Sequence, residues 1–235
     1  MCHKIVVDKG KQNPAIRSIL EICQSSQIKV ETLSRGAFRK KYGACSTQGI
    51  VGQFTSKEML HLDELVRQAY QQTASPTLAM LDGIQDPQNM GAIIRSAEVL
   101  GVQGVIIPKR RTAPINETVA KCSAGAVETL PIAATESFAQ AIQDLKKAGF
   151  WIVGVDMAGG QPCGQFKFDM PTALVIGGEE KGVRPLIKKS CDFMVSIPMA
   201  GKINSLNASA ASAIIFYEIL RQKKAAGLAH LKENK

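Results

Sequence analysis

Beyond residue 77 the apolar positions fall into five short runs, at 78–81, 102–107, 150–155, 173–176 and 193–197, and most are continuous rather than alternating. Strands read this way when both of their faces are buried, as in a parallel sheet covered by helices. Helical patterns lie between the runs. The clearest starts at Glu136, sets Phe138, Ile142 and Leu145 on one face and stops at Gly149, which is placed to cap its end. The pattern predicts an α/β fold with a mainly parallel sheet flanked by helices.

Before residue 78 the texture is different. Ile5-Val6-Val7, Ile28-Lys29-Val30 and the stretch 49–52 each suggest a short strand. Ile16, Ile19, Leu20 and Cys23 recur at helical spacing, as do Leu62, Leu65, Val66 and Tyr70. Residues 71–77 (QQTASPT) are polar, small and proline-containing, as a linker would be. The expected division is therefore a small α/β domain at 1–70, a linker at 71–77 and the main domain at 78–235. A last helix is expected over 206–220 (LNASAASAIIFYEIL), apolar nearly all round. One sheet covers only one side of such a helix, so a second subunit is expected to cover the other.

Composition narrows the function classes. In 235 residues, 45% are hydrophobic, enough for a buried core in one or two domains. No apolar run approaches the ~20 residues that span a bilayer. The first residues, MCHKIVVD, lack the charged-then-apolar-then-small order of a secretion signal. Cys2, Cys23, Cys45, Cys122, Cys163 and Cys191 are scattered without a CxxC pair, and the three histidines do not supply zinc spacing. Reduced thiols in a cytoplasmic protein without a metal are expected. The net charge of +9 favours a polyanionic partner. Within that excess, Arg39-Lys40-Lys41 and Lys109-Arg110-Arg111 are candidate phosphate contacts.

The familiar nucleotide motifs are missing. The first strand of the main domain runs into Asp82-Gly83-Ile84-Gln85-Asp86, without GxGxxG, and the second ends in Pro108-Lys109-Arg110-Arg111 rather than an acidic residue. An ordinary dinucleotide site is excluded, and no GxxxxGK[ST] is present. Three polar clusters remain beside the predicted strands. Asn89, suited to cap a helix, begins NxGxxxR, which ends at Arg95. Gly177-Gly178-Glu179 forms a turn whose glycines allow close backbone approach. Ser205, Asn207 and Ser209 open the last helix within IPMxGxxxSLNxSxA, from Ile197 to Ala211.

In this order and spacing, the three clusters resemble the signature motifs of the SpoU (TrmH-like) family of RNA ribose methyltransferases. Leu81-Asp82-Gly83 and Ser123-Ala124-Gly125-Ala126 match supporting positions, and the resemblance runs from about residue 77 to 222. It implies a deep trefoil knot at the C-terminal end of the sheet and a homodimer. It also implies S-adenosylmethionine held by main-chain groups at Gly177, Ile197 and Leu206. Asn89, Arg95, Glu179, Ser205 and Asn207 match the family's catalytic or substrate-facing set. The N-terminal part is similar to an L30e-type RNA-binding domain, shortened at its start. The implied activity is methyl transfer to a ribose 2′-hydroxyl, with a guanosine of 23S ribosomal RNA as the leading target. A transfer-RNA enzyme, a thiostrepton-resistance-type enzyme acting on adenosine, and a non-catalytic RNA-binding or ribosome-assembly factor are the alternatives. The family assigns Arg95 as base, but a guanidinium is not normally deprotonated in a protein. It is better suited to gripping a phosphate bidentately while Ser205 or water relays the proton.

Overall fold

The computed structural model describes residues 2–11, 13–43, 47–55, 57–156, 159–178, 182–202 and 205–227. The chain divides into two compact units, Met1–Lys57 and Glu58–Lys235.

In the first unit, β1 (Cys2–Asp8), α1 (Pro14–Ser25), β2 (Lys29–Leu33), α2 (Arg35–Tyr42) and β3 (Ile50–Phe54) build a three-stranded sheet of order β2-β1-β3. β1 runs parallel to β2 and antiparallel to β3. The core is small: Ile5, Val7, Ile16 and Cys23. Asn13 caps α1 by accepting from the Ile16 amide at 2.8 Å, and Pro14 opens the helix. The charge run at 39–41 lies on α2, a helix that periodicity does not reveal because Phe38 is its one buried residue.

The boundary expected at 71–77 falls instead after Lys57. Helix α3 (Leu62–Gln72) belongs to the second unit, where Leu65 and Ala69 join a core with Leu78, Met80 and Ile142. Residues 71–77 are thus the end of α3 and a short link into the first strand of the sheet. Ser75 and Thr77 in that link are buried. Polar composition marked a connection correctly but could not say that its two ends pack on one core.

The second unit holds a seven-stranded sheet whose pairings are all parallel. Its strands are β4 (Thr77–Asp82), β5 (Gly104–Pro108), β6 (Ile132–Thr135), β7 (Trp151–Val155), β8 (Gln161–Pro162), β9 (Thr172–Gly177) and β10 (Phe193–Ser196), in the order β6-β5-β4-β9-β7-β10-β8. All five apolar runs became strands. β6 and the two-residue β8 escaped detection because they are short. Every residue of β4 is buried, and alternate residues serve opposite cores. Ala79 and Leu81 pack on one face with α4 (Pro87–Val99), α5 (Glu117–Cys122), α6 (Ala126–Thr129) and α9 (Ala208–Ala225). Leu78 and Met80 pack on the other with α3, α7 (Phe138–Lys147) and α8 (Pro185–Lys188). This two-sided burial is why the strands read as unbroken apolar runs.

Two helix starts need correction or refinement. Asn89 does not cap α4. Asp86 does, accepting from the Gln88 amide at 3.0 Å, with Pro87 as the first helical residue. A proline is well placed there because its missing N–H would have had no helical partner, and this moves the start three positions upstream of the polar Asn89. The last helix begins at Ala208, two residues later than expected, capped by Asn207. Its inner face buries Ala211, Ile215, Phe216 and Ile219, while Ile214 and Tyr217 stay 42% and 59% exposed on the outer face. No helix among the described residues is long and apolar enough to cross a membrane.

Candidate active site

A parallel sheet gathers the loops that follow its strands along one edge. The first motif begins α4 after β4, the second follows β9, and the third fills the segment between β10 and α9. In register, Asp82 at the end of β4 faces Gly177 at the end of β9.

The first and third motifs meet directly. Asn207 Nδ2 donates to Asn89 Oδ1 at 2.9 Å. The other end of the Asn207 amide accepts from the Ser209 amide at 2.8 Å and from Ser209 Oγ at 2.6 Å. One side chain therefore caps α9 and ties it to the first turn of α4. Gly91, the glycine of NxGxxxR, has a packing reason: a Cβ there would stand 2.6 Å from Cys122 Cβ and 2.9 Å from the Val119 carbonyl oxygen. It lets α4 and α5 close together.

Arg95 lies on the exposed side of α4, along the stripe of Gln88 and Val99. Its guanidinium has no hydrogen bond or ion pair with a described residue. Ser205 and Leu206 are exposed ahead of α9, whereas Ile197 is buried after β10. Glu179 lies outside the described residues. The structure joins Asn89 to Asn207, and α4, which bears Arg95, packs on α9. It gives no bond linking Arg95 to Ser205.

The second motif is held by an ion pair that the sequence did not disclose. Asp82, its side chain fully buried, accepts from Arg184 Nε at 2.7 Å and from the Arg184 main-chain N–H at 3.1 Å, with Arg184 Nη2 also at 2.6 Å. The Gly178 amide donates to the Asp82 carbonyl at 3.1 Å, and the Gly182 amide to the Gly178 carbonyl at 2.9 Å. The backbone that comes close to Gly177 is the chain's own: an added Cβ would stand 1.9 Å from the Gly182 carbonyl carbon. Gly177 is required first by the close return of Gly182 and Val183, and Gly178 by the Gly83 carbonyl oxygen, 2.6 Å from an added Cβ, not by a ligand. An aspartate ending one strand and an arginine 102 positions later carry no sequence signal of their pairing.

Of the candidate phosphate contacts, Arg39, Lys40 and Lys41 are exposed on α2, and Arg110 and Arg111 are exposed after β5. Lys109 is paired with Glu136 at 2.9 Å, which holds the Glu136 carboxyl below its usual range. Among the described residues no group of three potential ligands could hold a metal ion.

The arrangement suits a ligand that needs main-chain polar groups beside apolar cover. Leu206 remains 37% exposed, Ile197 backs the same edge, and Gly177 offers only backbone. An adenosyl group fits that donor set. Arg95, exposed on α4 and without a hydrogen bond or ion pair to a described residue, suits a phosphodiester.

Comparison with known proteins agrees. Residues 76–217 match the model of the SpoU rRNA Methylase family. A Bacillus subtilis protein named TrmH family tRNA/rRNA methyltransferase YacO is 37% identical over 228 residues, covering 96% of this chain and 90% of its own. The solved SpoU methyltransferase AviRb from Streptomyces viridochromogenes, in complex with the cofactor AdoMet, superposes with a TM-score of 0.78 at 24% identity, over 96% of this chain and 84% of that one. A solved RNA 2′-O ribose methyltransferase superposes with a TM-score of 0.75 at 21% identity, over 95% and 82%.

Proposed function

This chain belongs to the SpoU rRNA methylase family, and from that premise we propose that it transfers a methyl group from S-adenosylmethionine to a ribose 2′-hydroxyl of RNA, a guanosine of 23S ribosomal RNA being the favoured target. One observation carries the proposal: Asn207 of the third motif is bonded to Asn89 of the first, on the strand edge where Gly177 of the second also lies.

Main-chain groups at Gly177, Ile197 and Leu206 would hold the cofactor, with apolar cover from Ile197 and Leu206. Bound there, the cofactor supplies an electrophilic methyl carbon. Arg95 grips the phosphate next to the target ribose with two parallel N–H groups. Ser205 or water relays the hydroxyl proton to solvent. Asn89 and Asn207 orient the ribose. Glu179 is kept in the catalytic set by its motif. Most of what the protein contributes is placement.

The trefoil knot is supported by the positions of β9 between β4 and β7, and of β10 between β7 and β8. Gln222 of α9 also binds the segment before β9, donating to the Phe166 carbonyl at 2.9 Å and accepting from the Phe168 amide at 3.0 Å. A homodimer is supported by Val99, Ile214 and Tyr217, large apolar residues 67%, 42% and 59% exposed on two helices that share one core. The unit Met1–Lys57, with exposed Arg39, Lys40 and Lys41, is assigned the L30e-like RNA-binding role.

The test is a map of 2′-O-methyl sites in ribosomal and transfer RNA from cells with and without the gene, joined to calorimetric titration of the protein with S-adenosylmethionine. A single lost site in 23S RNA is expected. A lost site in transfer RNA would move the target to the alternative substrate. No cofactor binding and no lost site would leave the non-catalytic RNA-binding reading.

A further inference from the structure

A cavity of about 730 Å³ opens on the strand edge next to the site just described, bounded by the ends of β4 and β5, the first turn of α7, Gly178 and residues between 182 and 187. Its volume is in the range that holds a nucleotide-sized ligand. It lies at the carboxyl ends of parallel strands, beside the place where the order of connection reverses from β5 and β6 to β9 and β7.

The charges around it are unevenly satisfied. Asp82 is buried against Arg184, Asp86 caps α4, and Glu136 is paired with Lys109. Each described carboxylate in the wall is therefore engaged. Arg110 and Arg111 also line the cavity, and neither has a hydrogen bond or ion pair with a described residue. Arg111 holds φ +61°, a conformation that L side chains adopt reluctantly. Pro108 and Leu186 add an apolar side, and Leu186 is 68% exposed. Two exposed guanidinia, Arg110 acting on Glu136 only through space and neither directly paired with a described residue, stand beside an apolar wall and match the two halves of a nucleotide, a phosphate and a base.

We propose that this cavity binds a nucleotide of the RNA next to the one that is methylated, with its phosphodiester on Arg110 and Arg111 and its base against Pro108 and Leu186. The proposal rests on the RNA-methyltransferase reading above. The cavity borders that site at both ends: Asp86 is three residues from Asn89, and Gly178 follows Gly177. An RNA chain laid across the edge would thus place one nucleotide at Arg95 and its neighbour in the cavity. Arg184, with one side of its guanidinium fixed by Asp82, forms a rigid floor.

The probe is a labelled single-stranded oligoribonucleotide of mixed sequence, titrated by anisotropy in parallel with S-adenosylmethionine by calorimetry. Two variants attack the cavity differently. R110A/R111A removes the charges, and A139W, at an exposed position of the wall, fills the space without changing charge. Both should weaken oligonucleotide binding about tenfold or more, the scale of lost charge-assisted hydrogen bonds. R110A/R111A should also flatten the salt dependence of log K by about 0.7, the slope of one phosphate contact on a single strand. Cofactor affinity should be unchanged in both. If the parent protein binds cofactor and methylates RNA while both variants hold the oligonucleotide as the parent does, the cavity assignment is overturned and the methyltransferase reading stands. If A139W weakens cofactor binding and spares the oligonucleotide, the cavity is not an RNA site. If the parent protein neither binds cofactor nor methylates RNA, the underlying reading fails instead.

Discussion

Asn207 and Asn89 are 118 positions apart in sequence and share a hydrogen bond of 2.9 Å, so the cap of the last helix is also the link between two motifs. Removing either amide should reveal both duties. Asn207→Ala loses the cap, worth about 1 kcal/mol, and the link, worth about 1 kcal/mol more. Asn89→Ala loses the link. A double-mutant cycle in denaturant should therefore show a coupling of about 1 kcal/mol between them. Additive losses would mean that the bond contributes nothing to the fold.

Gly177 predicts a sharp contrast with a second glycine. An added methyl at Gly177 would meet the Gly182 carbonyl carbon at 1.9 Å and the Val183 nitrogen at 2.1 Å, both main-chain atoms. Gly177→Ala should cost about 3 kcal/mol or more, at or above the top of the range for overpacking, because backbone cannot swing aside. It should also weaken cofactor binding. Gly164→Ala meets nothing within 4 Å. It should be neutral or stabilise by up to about 1 kcal/mol. Equal melting temperatures for the two variants would contradict the close return of Gly182 and Val183 on Gly177.

Much of this fold was legible because the sheet is buried on both faces. β4 and β9 are almost wholly enclosed, and their continuous apolar runs could be read directly. What escaped depends on partners distant in sequence. α3 looked like part of the first domain because its polar tail resembles a linker, and only the burial of Leu65 and Ala69 against Met80 and Ile142 assigns it to the second. In the site, the motifs located Asn89, Gly177 and Asn207 on one edge, but they misplaced the cap of α4. They could not find Arg184, whose role depends on the buried Asp82 carboxylate.

Arg95 should separate function from stability. It is exposed and has no bonded partner among the described residues. Arg95→Lys should leave the unfolding free energy within about 0.5 kcal/mol of the parent. Methyl transfer should nevertheless fall about tenfold or more, because a point charge cannot reproduce the planar fork. A tritiated-methyl transfer assay on total RNA, run beside a denaturant melt, checks both. Parent-like turnover would remove Arg95 from the catalytic set.

The outer face of α9 predicts an assembly. Ile214 and Tyr217 lie three residues apart on that face, both exposed. If a second copy covers them, Ile214→Glu buries an unpaired charge at the contact. The dissociation constant should then rise at least about hundredfold. Light scattering at micromolar concentration should show a dimer for the parent and a monomer for the variant. A monomeric parent would refute the assembly.

Lys223 gives a pH dependence with a definite sign. Its ammonium is buried, donating to the Ser75 carbonyl at 2.5 Å and to Thr77 Oγ1 at 2.7 Å, with no ion pair to a described carboxylate. Burial pulls its pKa from 10.5 down to about 8. Below pH 8 the folded and unfolded chains both carry the proton, and this group contributes its least stability. Between about 8 and 10.5 the unfolded chain keeps a proton that the folded chain has lost, so the unfolding free energy rises with pH. Above that window the contribution is level again, higher by on the order of 3 kcal/mol. Cys191 opposes it, because burial pushes its pKa from 9.0 to about 11 and stability falls across that interval. The clean measurement is therefore a difference. The stability of the parent minus that of Lys223→Met should climb between pH 8 and 10.5, since methionine keeps the length of the side chain and has no proton to lose. A flat difference across that window would show that Lys223 stays protonated where it is buried.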